Sequence, residues 1–100
     1  MKRRSKKSLK ELFLHTQSRL GLRLGHLLSQ AEYDEMGQMI RKGQAELLER
    51  QSGSRSLYRL TLGEHSLVVA YNRELGGVAT YLDEWMYQMN KGEGVYVAAA

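Results

Sequence analysis

The stretch Ser56–Leu82, SLYRLTLGEHSLVVAYNRELGGVATYL, decides the fold. It contains three short runs rich in β-branched and aromatic residues, Leu57–Leu62, Ser66–Asn72 and Val78–Leu82. Gly63–His65 separates the first two, and Arg73–Gly77 separates the second pair. Short β-forming runs punctuated by glycine-containing connectors read as successive hairpins, hence an antiparallel meander. The middle run is apolar at every position from Leu67 to Tyr71, which places it centrally or under cover on both faces. In the first run Tyr58, Leu60 and Leu62 share one face, and Leu57, Arg59 and Thr61 share the other, unless a bulge intervenes.

N-terminal to the meander the period changes from two to about 3.6. Leu9, Leu12, Phe13, Thr16 and Leu20 recur at three- and four-residue steps, predicting a helix from Ser8 to about Gln17. Gly21 and Gly25 each weaken a helix interior by roughly 1 kcal/mol relative to alanine, so Arg19–Leu28 reads either as continued helix or as a helix end and turn. Ser29-Gln30-Ala31-Glu32 matches the S-x-x-E capping box and opens a second helix over 30–42. Asp34 and Glu35 lie near its start and Arg41 and Lys42 at its end, matching the macrodipole, with Gly43 as the left-handed cap. Ala45–Arg50 reads as a first strand in preference to a further helical turn, since it follows a stop signal, and it is joined through Gln51–Arg55 to the run at Leu57. After Leu82, Asp83–Met89 reads as a short helix packing Trp85 and Met89 back on the domain. The fold class is α+β: two N-terminal helices packed on an antiparallel meander of about four strands. The chain divides into a basic flexible arm (1–8), a single domain (9–90) and a tail or edge strand around Val95–Val97 (91–100).

One hundred residues suffice for one domain with a usable core. Cysteine is absent, which removes disulfides, thiolate catalysis and cysteine-containing zinc sites. No apolar run approaches the ~18 residues of a membrane helix, and the basic N-terminus lacks the apolar core of a secretory signal. A soluble cytoplasmic protein without membrane association is expected. The net charge of +4 is concentrated: Lys2, Arg3, Arg4, Lys6, Lys7 and Lys10 carry six positive charges within the first ten residues. The other ninety hold nine basic against eleven acidic side chains, a net of −2. An arm of this kind is drawn to phosphate by a salt-sensitive, sequence-independent attraction, which makes Lys2, Arg3, Arg4, Lys6 and Lys7 candidate nucleic-acid contacts. Solvation alone is the alternative use of such a block.

Chemistry is suggested at one place. His15, His26 and His65 are far apart and form no H-x-x-x-H pair, so no metal site is expected, and no phosphate-binding glycine loop or nucleophile elbow occurs. His15, Arg19 and Arg23, however, fall at i, i+4 and i+8 along the border of the first helix's apolar face. Metal-free RNA cleavage needs a group able to move a proton near neutrality, for which histidine is suited, and fixed cations for the charge that grows on the phosphate. An ordinary amphipathic helix also carries charge along its rim, and the row is consistent with that use too.

The order of parts is a His-x-x-x-Arg helix, a capped second helix ending in Lys-Gly, the strand–turn–strand YRLTLGEHSLVVAYN, and GGVATYL. It resembles the small prokaryotic and phage proteins of the barnase/EndoU/colicin/RelE-like ribonuclease fold, in particular the BrnT-like and colicin-nuclease-like branch. The resemblance spans His15 to Leu82. It implies a metal-independent, toxin-type endoribonuclease needing no cofactor, with RNA as substrate and an antitoxin or host protein as possible partner. It further implies His15 as general base or acid, Arg19 and Arg23 as phosphate clamps, and Thr80 of the last strand as a hydrogen-bond donor to the scissile phosphate. The alternative is a non-catalytic phage or plasmid factor that binds nucleic acid or a host protein.

Overall fold

A computed structural model describes residues 8–85, 87 and 88. Two helices, α1 (Leu9–Leu24) and α2 (Gln30–Arg41), precede four strands, β1 (Glu46–Arg50), β2 (Arg55–Leu62), β3 (His65–Asn72) and β4 (Gly77–Leu82). The strands form one sheet in the order β1-β2-β3-β4, antiparallel throughout, the α+β meander expected from the sequence.

Both helices begin with reciprocal capping boxes, Ser8 with Glu11 and Ser29 with Glu32. In each, the hydroxyl accepts the N–H three residues on and the carboxylate accepts the N–H of the serine, which satisfies two otherwise free donors. The helix of Leu9 does not stop near Gln17 but runs through Gly21 to Leu24, where Gly25 (φ 68°) ends it in the left-handed conformation. Thr16 and Leu20 are completely buried, and that packing outweighs the roughly 1 kcal/mol that a mid-helix glycine costs. At the end of α2 the N–H of Gly43 reaches the Ile40 carbonyl and that of Gln44 reaches Met39, the paired bonds of a Schellman motif.

Leu62 pairs with His65, so the β2–β3 connection is only Gly63-Glu64 and His65 is already strand. Gly63 takes φ 62°, the positive value that the tight hairpin twist requires. In the β3–β4 turn, Asn72 Oδ1 accepts from the N–H groups of Glu74 and Leu75, and Gly76 takes φ 77°. The Arg73 guanidinium ties the two turns at this end of the sheet together, donating to Ser56 Oγ and to the carbonyls of Ser52 and Gly53.

The helices cover one face of the sheet. Leu12, Leu20, Leu28, Tyr33, Met36 and Ile40 meet Leu60, Leu62, Leu67, Val69, Tyr71, Val78 and Tyr81. Leu57, Val68 and Ala70 point to the opposite face, where Tyr87 covers them with help from Leu48 and Leu82. The all-apolar run of β3 is thus buried on both sides, as its lack of alternation predicts.

The segment after β4 departs from expectation. Residues 84, 85, 87 and 88 are helical, but Trp85 is 59% exposed and Tyr87, at 4%, packs in its place. Glu84 is held to the sheet by Arg59 at 2.6 Å, and the same guanidinium lies 5.8 Å from the centre of the Tyr87 ring. Glu84 and Tyr87, three residues apart, therefore share the sheet-facing side. Trp85, about 100° further round the helix than Glu84, is turned away. Met89, the arm residues Lys2, Arg3, Arg4, Lys6 and Lys7, and Val95–Val97 lie outside the described residues.

Candidate functional site

β4 ends the sheet and leaves backbone groups with no neighbouring strand, a position that folded proteins cover or block. α1 lies along it. The Val78 carbonyl accepts from the Tyr33 hydroxyl at 2.6 Å and from Thr16 Oγ1 at 3.4 Å. The Tyr81 carbonyl accepts from Arg19 Nε at 3.3 Å. Arg23 Nη1 donates to Asp83 Oδ2 at 2.6 Å. The row Thr16, Arg19, Arg23 on the helix thus matches Val78, Tyr81, Asp83 on the strand and its exit, step for step.

His15 and Thr80 sit within this zipper. His15 Nε2 lies 3.1 Å from Thr80 Oγ1, and the pair is exposed. The hydroxyl donates to Nε2 in one ring tautomer and accepts from it in the other. A β-bulge lies just before Thr80. Tyr71 pairs with Val78 and Ala70 with Thr80, so Ala79 is an extra residue on β4. The bulge resets the alternation: Val78 and Tyr81 both enter the core beneath the helices, which strict period two forbids.

The guanidinium groups are engaged unequally. Nε of Arg19 is bonded to the Tyr81 carbonyl, and among the described residues its two terminal nitrogens have no hydrogen-bond or ion-pair partner. A guanidinium fixed through Nε and open at both Nη atoms is suited to paired bonding with a phosphate or carboxylate. Arg23 is committed instead to Asp83, whose side chain is only 12% exposed. Burial, and then the charge of Asp83, push the Tyr81 hydroxyl's pKa upward, while Arg23 and Arg19 oppose the shift. The phenol, the carboxylate and both guanidinium groups therefore share one electrostatic neighbourhood.

The sequence suggested His15, Arg19, Arg23 and Thr80; all four line the α1–β4 border, His15 beside Thr80 and Arg23 in an ion pair. Asp83 read only as a helix start. Its partner lies sixty residues away, beyond any local spacing rule. The fold also brings His26 and His65 together, with ring centres 5.6 Å apart, and sets His26 Nε2 3.1 Å from Glu32 Oε1. No three groups able to bind a metal converge among the described residues. No helix described is long and apolar enough to cross a membrane. Compared with known proteins, the chain matches no family model, no curated protein and no solved structure.

Proposed function

We propose that the protein is a metal-independent, toxin-type endoribonuclease whose site is the α1–β4 border. The observation that carries this reading is the 3.1 Å approach of His15 Nε2 to Thr80 Oγ1, with the open side of the Arg19 guanidinium one helical turn further on. RNA carries its own nucleophile. His15 takes the proton of a 2′-hydroxyl, the 2′-oxygen attacks the adjacent phosphorus, and the bond to the 5′-oxygen breaks with a proton supplied by water. A 2′,3′-cyclic phosphate and a 5′-hydroxyl result. Arg19 stabilises the charge that accumulates on the phosphate, and Thr80 orients the imidazole or donates to a phosphate oxygen. Arg23 contributes through its ion pair, which holds the end of α1 to the exit of β4.

The direct test is cleavage of RNA by purified protein in EDTA. Wild type is expected to leave cyclic-phosphate ends, with His15→Ala lowering the rate about 10²- to 10⁴-fold and Arg19→Ala also impaired. Expression of wild type in bacteria is expected to arrest growth and degrade RNA. Intact RNA and normal growth would refute the reading.

A second reading, a non-catalytic phage or plasmid factor that binds nucleic acid, an antitoxin or a host protein, is favoured by a different observation. Arg19 and Arg23 both serve the free edge of β4, as rim residues without catalytic duty would. In that case Lys2, Arg3, Arg4, Lys6 and Lys7 carry nucleic-acid binding, and deleting residues 2–7 weakens it in a strongly salt-dependent way.

A further inference from the structure

Two turns at one end of the sheet and the C-terminal end of α2 bring five basic side chains together. Arg50 and Arg55 flank the β1–β2 turn, Arg73 opens the β3–β4 turn, and Arg41 and Lys42 end α2. Register joins them. Arg50 pairs with Ser56 and Ser56 with Tyr71, while Arg55 pairs with Asn72 and Asn72 with Gly77. The Arg73 guanidinium crosses to the Ser52 carbonyl at 2.8 Å. Arg41 Nη1 donates to the Gly76 carbonyl at 2.9 Å and to the Tyr71 hydroxyl at 3.2 Å. Gly37 makes room for that reach, since a Cβ there would lie 3.0 Å from Arg41 Nη1.

Five of the nine basic residues beyond Lys10 therefore gather at this end, against two acidic ones, Glu49 and Glu74, a net of +3. The opposite end is the reverse, with Glu46, Glu64, Asp83 and Glu84 against Arg23 and Arg59. Lys42, Arg50 and Arg55 are exposed. Among the described residues the first two side chains have no hydrogen-bond or ion-pair partner, and Arg55 is bonded to the neutral Gln51. Like charges held together without counter-charges repel one another, and an anionic partner relieves that repulsion. A Cβ on Gly77 would lie 2.6 Å from Leu9 Cδ2, so α1 starts at this end as well, and Lys2, Arg3, Arg4, Lys6 and Lys7 join the fold here through Ser8.

We infer that this end of the sheet binds the sugar–phosphate backbone of a nucleic acid without regard to its base sequence. Four strands span about 14 Å, enough for several phosphates at ~3.4 Å of strand each. Guanidinium groups match phosphate with paired donors. Trp85, the exposed aromatic residue among those described, follows β4 at the opposite end, so no ring is offered here for bases to stack on. The exposed Leu22, Leu24 and Leu27 lie at or beyond the far end of α1, whereas a membrane-surface site puts apolar and basic groups on one face. Thr80 is three residues along β4 from Gly77, about 10 Å, so one strand can touch both this surface and the His15 site. The inference does not rest on cleavage at that site.

The test titrates full-length protein into end-labelled 2′-O-methyl oligoribonucleotides of two unrelated sequences, which cannot be cleaved because the 2′-oxygen is blocked. Anisotropy reports binding at several salt concentrations, and circular dichroism verifies that each variant is folded. Each phosphate contact contributes about −0.7 to the slope of log affinity against log salt on a single strand. Lys42→Gln/Arg50→Gln/Arg55→Gln is expected to make the slope shallower by about 2 and to weaken binding on the order of 100-fold at about 0.1 M salt, equally for both sequences. The same loss is expected in protein lacking residues 2–7. Leu22→Glu/Leu27→Glu adds two negative charges about 20 Å or more along α1 from Leu9, roughly two screening lengths away, and is expected to change affinity by less than about 2-fold. Wild-type affinity and slope in the triple variant overturn the inference, and so does an equal loss in the leucine control, which makes net charge alone responsible. A loss confined to one sequence, or one that vanishes without residues 2–7, also overturns it. So does a triple variant that still binds the oligonucleotides but no longer binds phosphatidylserine–phosphatidylcholine vesicles, which makes this end a lipid-binding surface. Absence of RNA cleavage sinks the nuclease reading and leaves the backbone-binding surface standing.

Discussion

Gly77 opens β4, the strand that carries Thr80, and replacing it by alanine perturbs a contact that can be worked out atom by atom. A Cβ at this position would lie 2.6 Å from Leu9 Cδ2 and 2.7 Å from the Tyr33 hydroxyl. Carbon atoms prefer about 3.5–4.0 Å. The two neighbours differ in their freedom to retreat. Leu9 is 47% exposed and can rotate outward. Tyr33 is buried, braced edge-on by Phe13 with ring centres 5.3 Å apart, and bound to the Val78 carbonyl at 2.6 Å. Its hydroxyl moves only by giving up that bond. Overpacking of this kind costs about 1–3 kcal/mol, and the lost hydrogen bond about 1 kcal/mol more. Gly77→Ala is therefore expected to lose about 3 kcal/mol, or on the order of 10–20 °C in Tm. Tyr33→Phe alone loses about 1 kcal/mol, but it also removes the atom that the new methyl strikes. The double variant should then lose only about 2 kcal/mol, a coupling of about 2 kcal/mol. Urea unfolding of the four proteins measures it. Additive losses would refute the reasoning, since they would mean that the cost of alanine does not arise at the Tyr33 hydroxyl.

Three further expectations follow from the same geometry. Burial, foremost, pushes the Tyr33 hydroxyl up to about 12, so the folded state favours the neutral phenol. Its stabilising effect, at most about 3 kcal/mol, is complete below pH ~10 and is lost as the pH rises toward 12; Tyr33→Phe should flatten this alkaline limb in urea unfolding, and an unchanged limb would count against the assignment. The Glu32 carboxyl is held below its usual range, first by the Ser29 N–H and then by His26, so it contributes stability above pH ~4.5 that is lost as the pH falls through its folded value. Glu32→Gln should reduce that acid loss, and Ser29→Ala should cost about 1 kcal/mol by denaturant unfolding. Removing Arg23 strands the nearly buried Asp83 carboxylate, so Arg23→Ala should lose about 1–3 kcal/mol and regain part of it with Asp83→Asn. Arg19→Ala, whose partner is a backbone carbonyl, should lose less stability and more RNA cleavage; equal losses of both kinds in the two variants would show that the guanidinium groups do not divide their work this way.

What could be read from residue order is visible at α2. Ser29 and Glu32 at its start and Gly43 after its end are local signals, because caps act within one turn of the helix they close. The meander was equally legible, since Gly63 and Gly76 mark backbone that must adopt positive φ. The end of α1 was not. Gly21 is a genuine local cost, and only the burial of Thr16 and Leu20 against the sheet carries the helix past it. Tertiary packing overrides propensity in this way throughout proteins. Trp85 misled for a related reason: its size predicts burial, yet the hold of Arg59 on Glu84 turns Tyr87 inward in its place.

The sequence by itself determined that this chain is two helices followed by an antiparallel meander, and that His15, Arg19 and Arg23 fall in one row. Periodicity and capping are properties of neighbours along the chain, and those neighbours are all on view. Only the tertiary structure decided what the row faces. One extra residue, Ala79, shifts the phase of β4 just before Thr80, whose hydroxyl lies 3.1 Å from His15 Nε2. The same edge ties Arg23 to Asp83 and leaves the terminal nitrogens of Arg19 without a partner among the described residues. A bulge carries no reliable local signature, and partners sixty or more residues apart are joined by the closure of the fold rather than by any spacing in the chain.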